Sequence, residues 1–458
     1  MTVKKKLIEV TLPLETINRE SAREKSIRHG HPSTLHLWWS RKPLSTCRAV
    51  LFASLVDDPS VHPEKFPSVA EQQEERERLF KIIEDLVKWE NINNEKVLNK
   101  AREEILKSTG GNPPPVLDPF CGGGSIPLEA QRLGLEAHGS DLNPVAVMIT
   151  KALIEIPPKF AGRLPVNPQA RSSELSKGSW PGAQGLATDI RYYGEWMREE
   201  AEKRIGHLYP KVKLPPEYGG GEATIIAWLW ARTVQCPNPA CGARIPLART
   251  FWLSTKKGEK AWVQPIIDQE KKEVRFEVRT GDGAPPEGTV NRQGARCIFC
   301  NSPVPFDHIR NEGQAQRMGS QLMAIVAEGT NGRIYVSPSQ GHEDIILKLD
   351  PEGIPESYLP EQALGFRVQL YGMKKHRDLF TPRQLTALTT FSDLVTKARD
   401  KVYRDAVAAG YPDDGVGLEE GGSGARAYTE AICVYLAFGV NRLADRCSSI
   451  CSWDIGYT

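Results

Sequence analysis

Two sets of residues in this chain have types and spacings suited to chemistry. One is Asp118-Pro-Phe-Cys-Gly-Gly-Gly-Ser-Ile-Pro127, followed by Gly139-Ser-Asp141-Leu-Asn-Pro144. The other is a couple of close cysteine pairs, Cys236-Pro-Asn-Pro-Ala-Cys241 and Cys297-Ile-Phe-Cys300. In the first set, Gly122 and Gly124 permit backbone conformations and a close ligand approach that a Cβ would block. A helix start just beyond them offers unpaired N–H groups to an anionic group such as a carboxylate. Asp141 follows Gly122 by 19 residues, and an acid about 20 residues on can bond a ribose hydroxyl pair. In the second set, the short spacings let thiolates converge on one ion, and each pair is followed by Gly242 or Asn301, which tolerate the turn around a metal. A closed set of Cys236, Cys241, Cys297 and Cys300 favours structural zinc over a catalytic zinc, which keeps an open position. An iron centre and unrelated thiols are the alternatives.

These residues need particular elements to hold them. Val116 and Leu117 end in an acid and a glycine run, and Ile126, Leu128, Ala130 and Leu133 follow at helical spacing. That is a strand, a tight loop and a helix, the unit that opens a doubly wound sheet. Residues 135–139 form the next short strand, and a helix runs on from Asp141 to about Ile154. Upstream, Pro43 suits the first turn of a helix with Leu44, Cys47, Val50 and Leu51 on one face. Residues 64–108 read as a charged helical insert with an apolar stripe of Leu79, Ile82, Ile83, Leu86 and Val87, stopped by Asn112-Pro-Pro-Pro115.

Downstream, residues 157–185 are rich in Pro and Gly, and residues 188–207 carry an amphipathic helical pattern. Residues 224–234 are expected as a buried strand feeding the first cysteine pair. Lys272-Glu-Val-Arg-Phe-Glu-Val-Arg279 alternates like a half-exposed strand, so the ribbon between the cysteine pairs carries an inserted hairpin. Residues 321–328 and 333–336 flank Thr330-Asn331-Gly332, a hairpin signal. Residues 411–424 are expected as a flexible acidic loop, and residues 425–446 as a long helix.

Composition sets the bounds. A chain of 458 residues with 40% hydrophobic and 25% charged residues is an ordinary soluble globular protein of several domains. The net charge of +2 does not announce a nucleic-acid binder. Its distribution is less even, because residues 1–50 carry ten Lys or Arg against four Glu. No apolar stretch is long enough to span a bilayer, and the first residues lack the core of a signal peptide. Nine cysteines, an odd number with close pairs, argue for metal ligation in a reducing compartment, so the expected location is cytoplasmic.

The spacing Phe120-x-Gly122-x-Gly124 after Asp118-Pro119 resembles the first motif of amino-group DNA methyltransferases. The chain as a whole resembles the zinc-ribbon-containing adenine-specific DNA methylases of bacteria and archaea, whose N-terminal domain is of unknown function. The likeness runs through His31-Pro-Ser-Thr-Leu-His-Leu-Trp-Trp-Ser-Arg-Lys-Pro-Leu44, the glycine loop, Asp141-Leu-Asn-Pro144 and the ribbon. It extends to Tyr371-Gly-Met-Lys374 and Leu379-Phe-Thr-Pro-Arg383.

The resemblance implies an α/β fold, a Rossmann-like S-adenosylmethionine-dependent methyltransferase with an inserted zinc ribbon and helical insertions. It implies S-adenosylmethionine as cofactor, with Asp118, Phe120, Gly122 and Gly124 at its methionine end and Asp141 on the ribose hydroxyls. Pro119 and Asn143 complete that cofactor set, and residues 38–44 look like an extra N-terminal cofactor motif. An ordinary helix start with Trp in the core is the competing reading of residues 38–44. The expected divisions are a methylase-associated segment (1–60), a helical insert (61–112), a cofactor-binding half (113–234), the ribbon (235–310) and a hairpin and helical remainder (311–458).

The family's chemistry requires an Asp or Asn followed by Pro-Pro and an aromatic residue, which orients a flipped adenine. No such tetrapeptide occurs here: Asn112-Pro-Pro-Pro, Ile156-Pro-Pro-Lys and Leu214-Pro-Pro-Glu all lack the aromatic. The catalytic residues are therefore unknown, and the expectation is a truncated or split DNA methylase, with a second polypeptide or a C-terminal part carrying the catalytic loop. Direct transfer to the adenine amino group in a restriction or defence system is the main reading. An RNA methyltransferase and a catalytically inactive nucleic-acid-binding subunit are the alternatives.

Overall fold

The computed structural model describes residues 4–172, 179–330, 332–339, 341–342, 349–362 and 365–456. Part of the Pro- and Gly-rich passage (173–178) and Asn331 of the hairpin turn lie outside the described residues. The chain divides into two compact units, Met1–Trp196 with Val395–Arg442, and Met197–Leu394 with Leu443–Thr458.

The first unit opens with helices α1 (Leu14–Glu24), α2 (Leu44–Leu55), α3 (Val69–Leu86) and α4 (Glu95–Ser108). The start of α3 is a capping box in which Ser68 and Glu71 satisfy each other's backbone N–H groups. Asn94 caps α4 through the N–H of Lys96. The apolar stripe of α3 is the expected one, with Leu79, Ile82, Ile83 and Leu86 all buried. Next come β1 (Val116–Asp118), α5 (Ser125–Arg132), β2 (Ala137–Gly139) and α6 (Pro144–Ile154). Strands β1 and β2 pair in parallel with Val116 opposite Ala137, Leu117 opposite His138 and Asp118 opposite Gly139.

One face of this pair is covered. Val116 and Ala137 pack onto a core of Phe52, Ile83, Leu98, Ile105, Ala130 and Leu133, contributed by α2 to α5. Successive strand residues point to opposite faces, and Leu117 on the other face is 67% exposed. Among the described residues no further strand joins β1 or β2. Parallel strands are ordinarily covered on both faces, so the pair has the form of a sheet with one finished side.

Residues 411–424 are held by hydrogen bonds at several points. The N–H of Leu418 donates to Glu430 Oε2 at 2.6 Å, the N–H of Gly422 to the Gly417 carbonyl at 2.9 Å, and the N–H of Ala425 to the Pro412 carbonyl at 2.8 Å. Buried Asp189 braces the same unit, accepting from the Val166 N–H at 2.7 Å and from Tyr428 Oη at 2.6 Å. The expected long helix is Ala425–Arg446.

The second unit is built from antiparallel sheets: β3 (Ile225–Gln235), β4 (Arg244–Leu247), β5 (Trp252–Ser254), β6 (Ala261–Asp268), β7 (Glu273–Thr280), β8 (Gly294–Arg296), β9 (Pro303–Pro305), β10 (Gly319–Gly329) and β11 (Gly332–Val336). Strand β3 sits inside the order β11-β10-β3-β4. Both its faces pack: Trp228 and Trp230 join Leu322 and Ile325, while Ala227 and Leu229 join Ala324 and Val326. That is why its sequence reads as a continuous apolar run instead of alternating. Strands β6 and β7 form the inserted hairpin, and β7 buries Val274 and Phe276 while exposing Glu273, Arg275 and Glu277.

Candidate functional site

The glycine loop connects β1 to α5, and its conformation depends on residues without a Cβ. Gly122 and Gly124 have φ of +48° and +74°, in the left-handed region. A Cβ on Gly122 would lie 2.6 Å from Trp38 Nε1. The loop is tied to the end of β2: the Cys121 N–H donates to the Ser140 carbonyl at 2.9 Å, and the Ser140 N–H to the Asp118 carbonyl at 2.9 Å.

Asp141 stands where β2 ends. Its Oδ2 accepts from the Gly122 N–H at 2.9 Å and its Oδ1 from the Asn143 N–H at 2.9 Å. These backbone donors, Asn143 first and then Gly122, hold the Asp141 carboxyl below the usual carboxylate range. Each oxygen retains a further lone pair for a hydroxyl donor. Asp118 is nearly buried and turns inward, with Oδ1 accepting from the Phe120 N–H at 3.2 Å. The Asn143 side chain caps α6 through the Val145 N–H at 3.0 Å. Phe120 and Leu142, flanking the loop, are 85% and 99% exposed.

Cys121 is not a nucleophile in waiting. Its thiol is buried and accepts from Thr150 Oγ1 at 3.2 Å, and burial pushes its pKa up.

Residues 38–42 touch the loop directly. The Arg41 guanidinium donates to the Gly123 carbonyl, and to the His36 carbonyl at 3.1 Å. Burial pulls its pKa down to about 10, opposed by the charge of Glu24. Ser125 Oγ donates to the Lys42 carbonyl at 2.8 Å. Trp38 packs among Ile149, Ala152 and Phe438. The positioning residue behind this segment is Glu24 of α1, which sequence reasoning missed. Its carboxylate accepts from the Leu44 N–H at 2.8 Å, the Ser45 N–H at 3.0 Å and His31 Nε2 at 2.9 Å. Glu24 thus caps α2 from another helix, where Pro43 at the cap position offers no side-chain bond. No local pattern announces such a cap. Burial works against its ionisation, but His31 and the Ser45 and Leu44 N–H groups outweigh it and lower its pKa.

The cysteine cluster is set by two short hairpins. Strands β3 and β4 present Cys236 and Cys241, and β8 and β9 present Cys297 and Cys300. Gly242 and Asn301 take φ of +60° and +59°, the turn their positions after each pair anticipate. All four sulfurs lie within 4.8 Å of one another. Cys236 to Cys300 is 3.7 Å and Cys241 to Cys297 is 3.8 Å. A tetrahedron with Zn–S bonds of about 2.3 Å has edges of about 3.8 Å, so the group can hold a metal ion such as zinc. Cys236, Cys241 and Cys297 are buried, and Cys300 is exposed. Lys272 Nζ donates to the Cys241 carbonyl, tying the inserted hairpin to the first cysteine pair.

Residues 11–82 match a family described as protein of unknown function (DUF1156). That span covers α1 to most of α3, including Glu24 and the segment against the glycine loop. No curated protein and no solved structure matches the chain. No helix among the described residues is long and apolar enough to cross a membrane.

Proposed function

We propose that this chain is the cofactor-binding and ribbon-bearing part of an S-adenosylmethionine-dependent DNA methyltransferase acting on the adenine amino group, in a restriction or defence system. The carrying observation is the pairing of a Cβ-free loop at Gly122 and Gly124 with Asp141, which is bonded to that loop's own backbone. The residues fit an adenosine with a charged amino-acid tail. Asp141 would take the ribose hydroxyls, the first N–H groups of α5 the carboxylate, and exposed Leu142 an apolar ring face. When bound, the cofactor supplies an electrophilic methyl on sulfur. On this reading β1 and β2 are the first two strands of a Rossmann-like sheet, the cysteine cluster holds structural zinc, and the protein works in a reducing cytoplasm.

The base-binding tetrapeptide is absent from these 458 residues. The exposed Leu117 and the second edge of β1, which no strand among the described residues pairs, supply a place for further strands. We assign the catalytic loop to polypeptide that completes the sheet there, in trans or as additional chain. A nucleic-acid-binding subunit without catalysis is the second reading, favoured by the same absence.

Calorimetric titration with S-adenosylmethionine and its demethylated product tests the main reading. Micromolar binding that drops at least tenfold in Asp141→Ala is expected. No uptake of either compound overturns it, and unchanged affinity in the variant removes Asp141 from the ribose role.

A further inference from the structure

The glycine loop has an aromatic neighbour that cofactor binding leaves unexplained. Trp38 and Trp39 are stacked, with ring centroids 4.4 Å apart and planes 20° from parallel. Trp38 is anchored on Gly122 and in the cluster with Ile149 and Phe438. Trp39 is 83% exposed. An indole is large and apolar, and holding one in water costs free energy unless something covers it. Here it is held flat on a fixed ring, so its outer face is pre-oriented for one more planar group.

The charge of its own stretch of chain points to which planar group. No Asp or Glu occurs from Lys25 to Val56, a stretch containing Lys25, Arg28, Arg41, Lys42 and Arg48. Arg48 is buried against Glu129 at 2.9 Å, Arg41 is bonded to the loop, and Arg28 Nη1 donates only to the neighbouring Lys25 carbonyl at 3.3 Å. Lys25, Arg28 and Lys42 are exposed, and none is among the ion pairs of the described residues. Exposed cations along the chain on both sides of an exposed, stacked aromatic suit a nucleic-acid strand, its phosphates on the cations and a base on the ring. The adenosine of a sulfonium cofactor has no phosphate and would leave these charges unanswered.

We propose that Trp39 stacks an unpaired base of the DNA strand, with Lys25, Arg28 and Lys42 meeting its phosphates. The inference deepens the methyltransferase reading and rests on it for the choice of DNA. In a duplex both faces of each base are already occupied, so only a displaced or single-stranded base can add to the indole.

The test is anisotropy of a labelled single-stranded deoxyoligonucleotide titrated with the full chain, its Trp39→Ala and Trp39→Phe variants, and Lys42→Ala. Stacking of one base is worth about 1–3 kcal/mol, so Trp39→Ala is expected to weaken binding roughly tenfold, with Trp39→Phe recovering most of it. An oligomer of abasic units should bind all Trp39 variants alike. Lys42→Ala should weaken both oligomers and flatten the salt dependence.

Unchanged oligonucleotide affinity in Trp39→Ala overturns the proposal. So does a loss confined to S-adenosylmethionine, which would move the indole into the adenosine pocket, or binding of an acidic peptide in preference to DNA. Cofactor uptake without any oligonucleotide binding sinks this proposal and spares the methyltransferase reading. Oligonucleotide binding without cofactor uptake does the reverse.

Discussion

The cysteine ribbon and the glycine loop are the two candidate sites, and they are finished to different degrees. The four cysteines of the ribbon lie on two short hairpins, and their sulfurs already converge within 4.8 Å. The glycine loop has its backbone shape, its acid and a covering N-terminal segment, yet among the described residues the sheet beneath it has two strands, with Leu117 exposed. A tetrahedral metal site is complete once its ligands meet. A nucleotide site on a parallel sheet needs strands on both sides and helices on both faces, and those come from far along a chain or from elsewhere.

This contrast is broken most severely at the ribbon. Cys297→Ser, or a strong chelator, should abolish metal retention and the cooperative unfolding of the second unit, because structural zinc contributes on the order of 10 kcal/mol. Metal analysis with thermal melting checks it, and retention of both metal and melting temperature would show the cluster to be ordinary thiols.

The first unit should respond next most strongly at the buried pair behind the loop, Arg48 of α2 with Glu129 of α5. Burial pushes the Glu129 carboxyl up, and Arg48 and Arg132 oppose it. Arg48→Met leaves that carboxylate with Arg132 alone, for an expected loss of about 3 kcal/mol in urea unfolding. Adding Glu129→Gln should restore part of it.

At the loop itself, Gly122→Ala must accept φ of +48° and displace Trp38, an expected cost of about 1–3 kcal/mol. Gly110→Ala, at φ +63° with nothing within 4 Å, should lose less. Equal losses would mean that Trp38 does not rest on the loop.

The smallest effect is in acid. The lowered pKa of Glu24 means that the unfolded chain binds the extra proton more readily than the folded one. Its contribution is complete above the ordinary value of 4.5 and is lost as pH falls below that through the folded value. Unfolding midpoints measured against pH should therefore decline less steeply in Glu24→Gln.

Much of this was legible in the residues alone, because the determinants are local. Glycines that need positive φ, cysteine pairs with Gly242 and Asn301 behind them, and alternation in β7 each express a rule spanning a few residues. The local bonds of Asp118 and Asn143 were less legible: Asp118 accepts from its own loop, and the Asn143 side chain caps α6.

What only the tertiary structure decided is which distant segments meet. Glu24 reaching α2, Arg41 reaching the Gly123 carbonyl 82 residues away, and the two cysteine pairs closing across more than 50 residues all depend on packing. Such contacts follow from how apolar stripes are buried together, and no spacing along the chain encodes them. The exposed side of β1 belongs to the same class: Leu117 reads as a core strand residue, and only the arrangement of its neighbours leaves it in solvent.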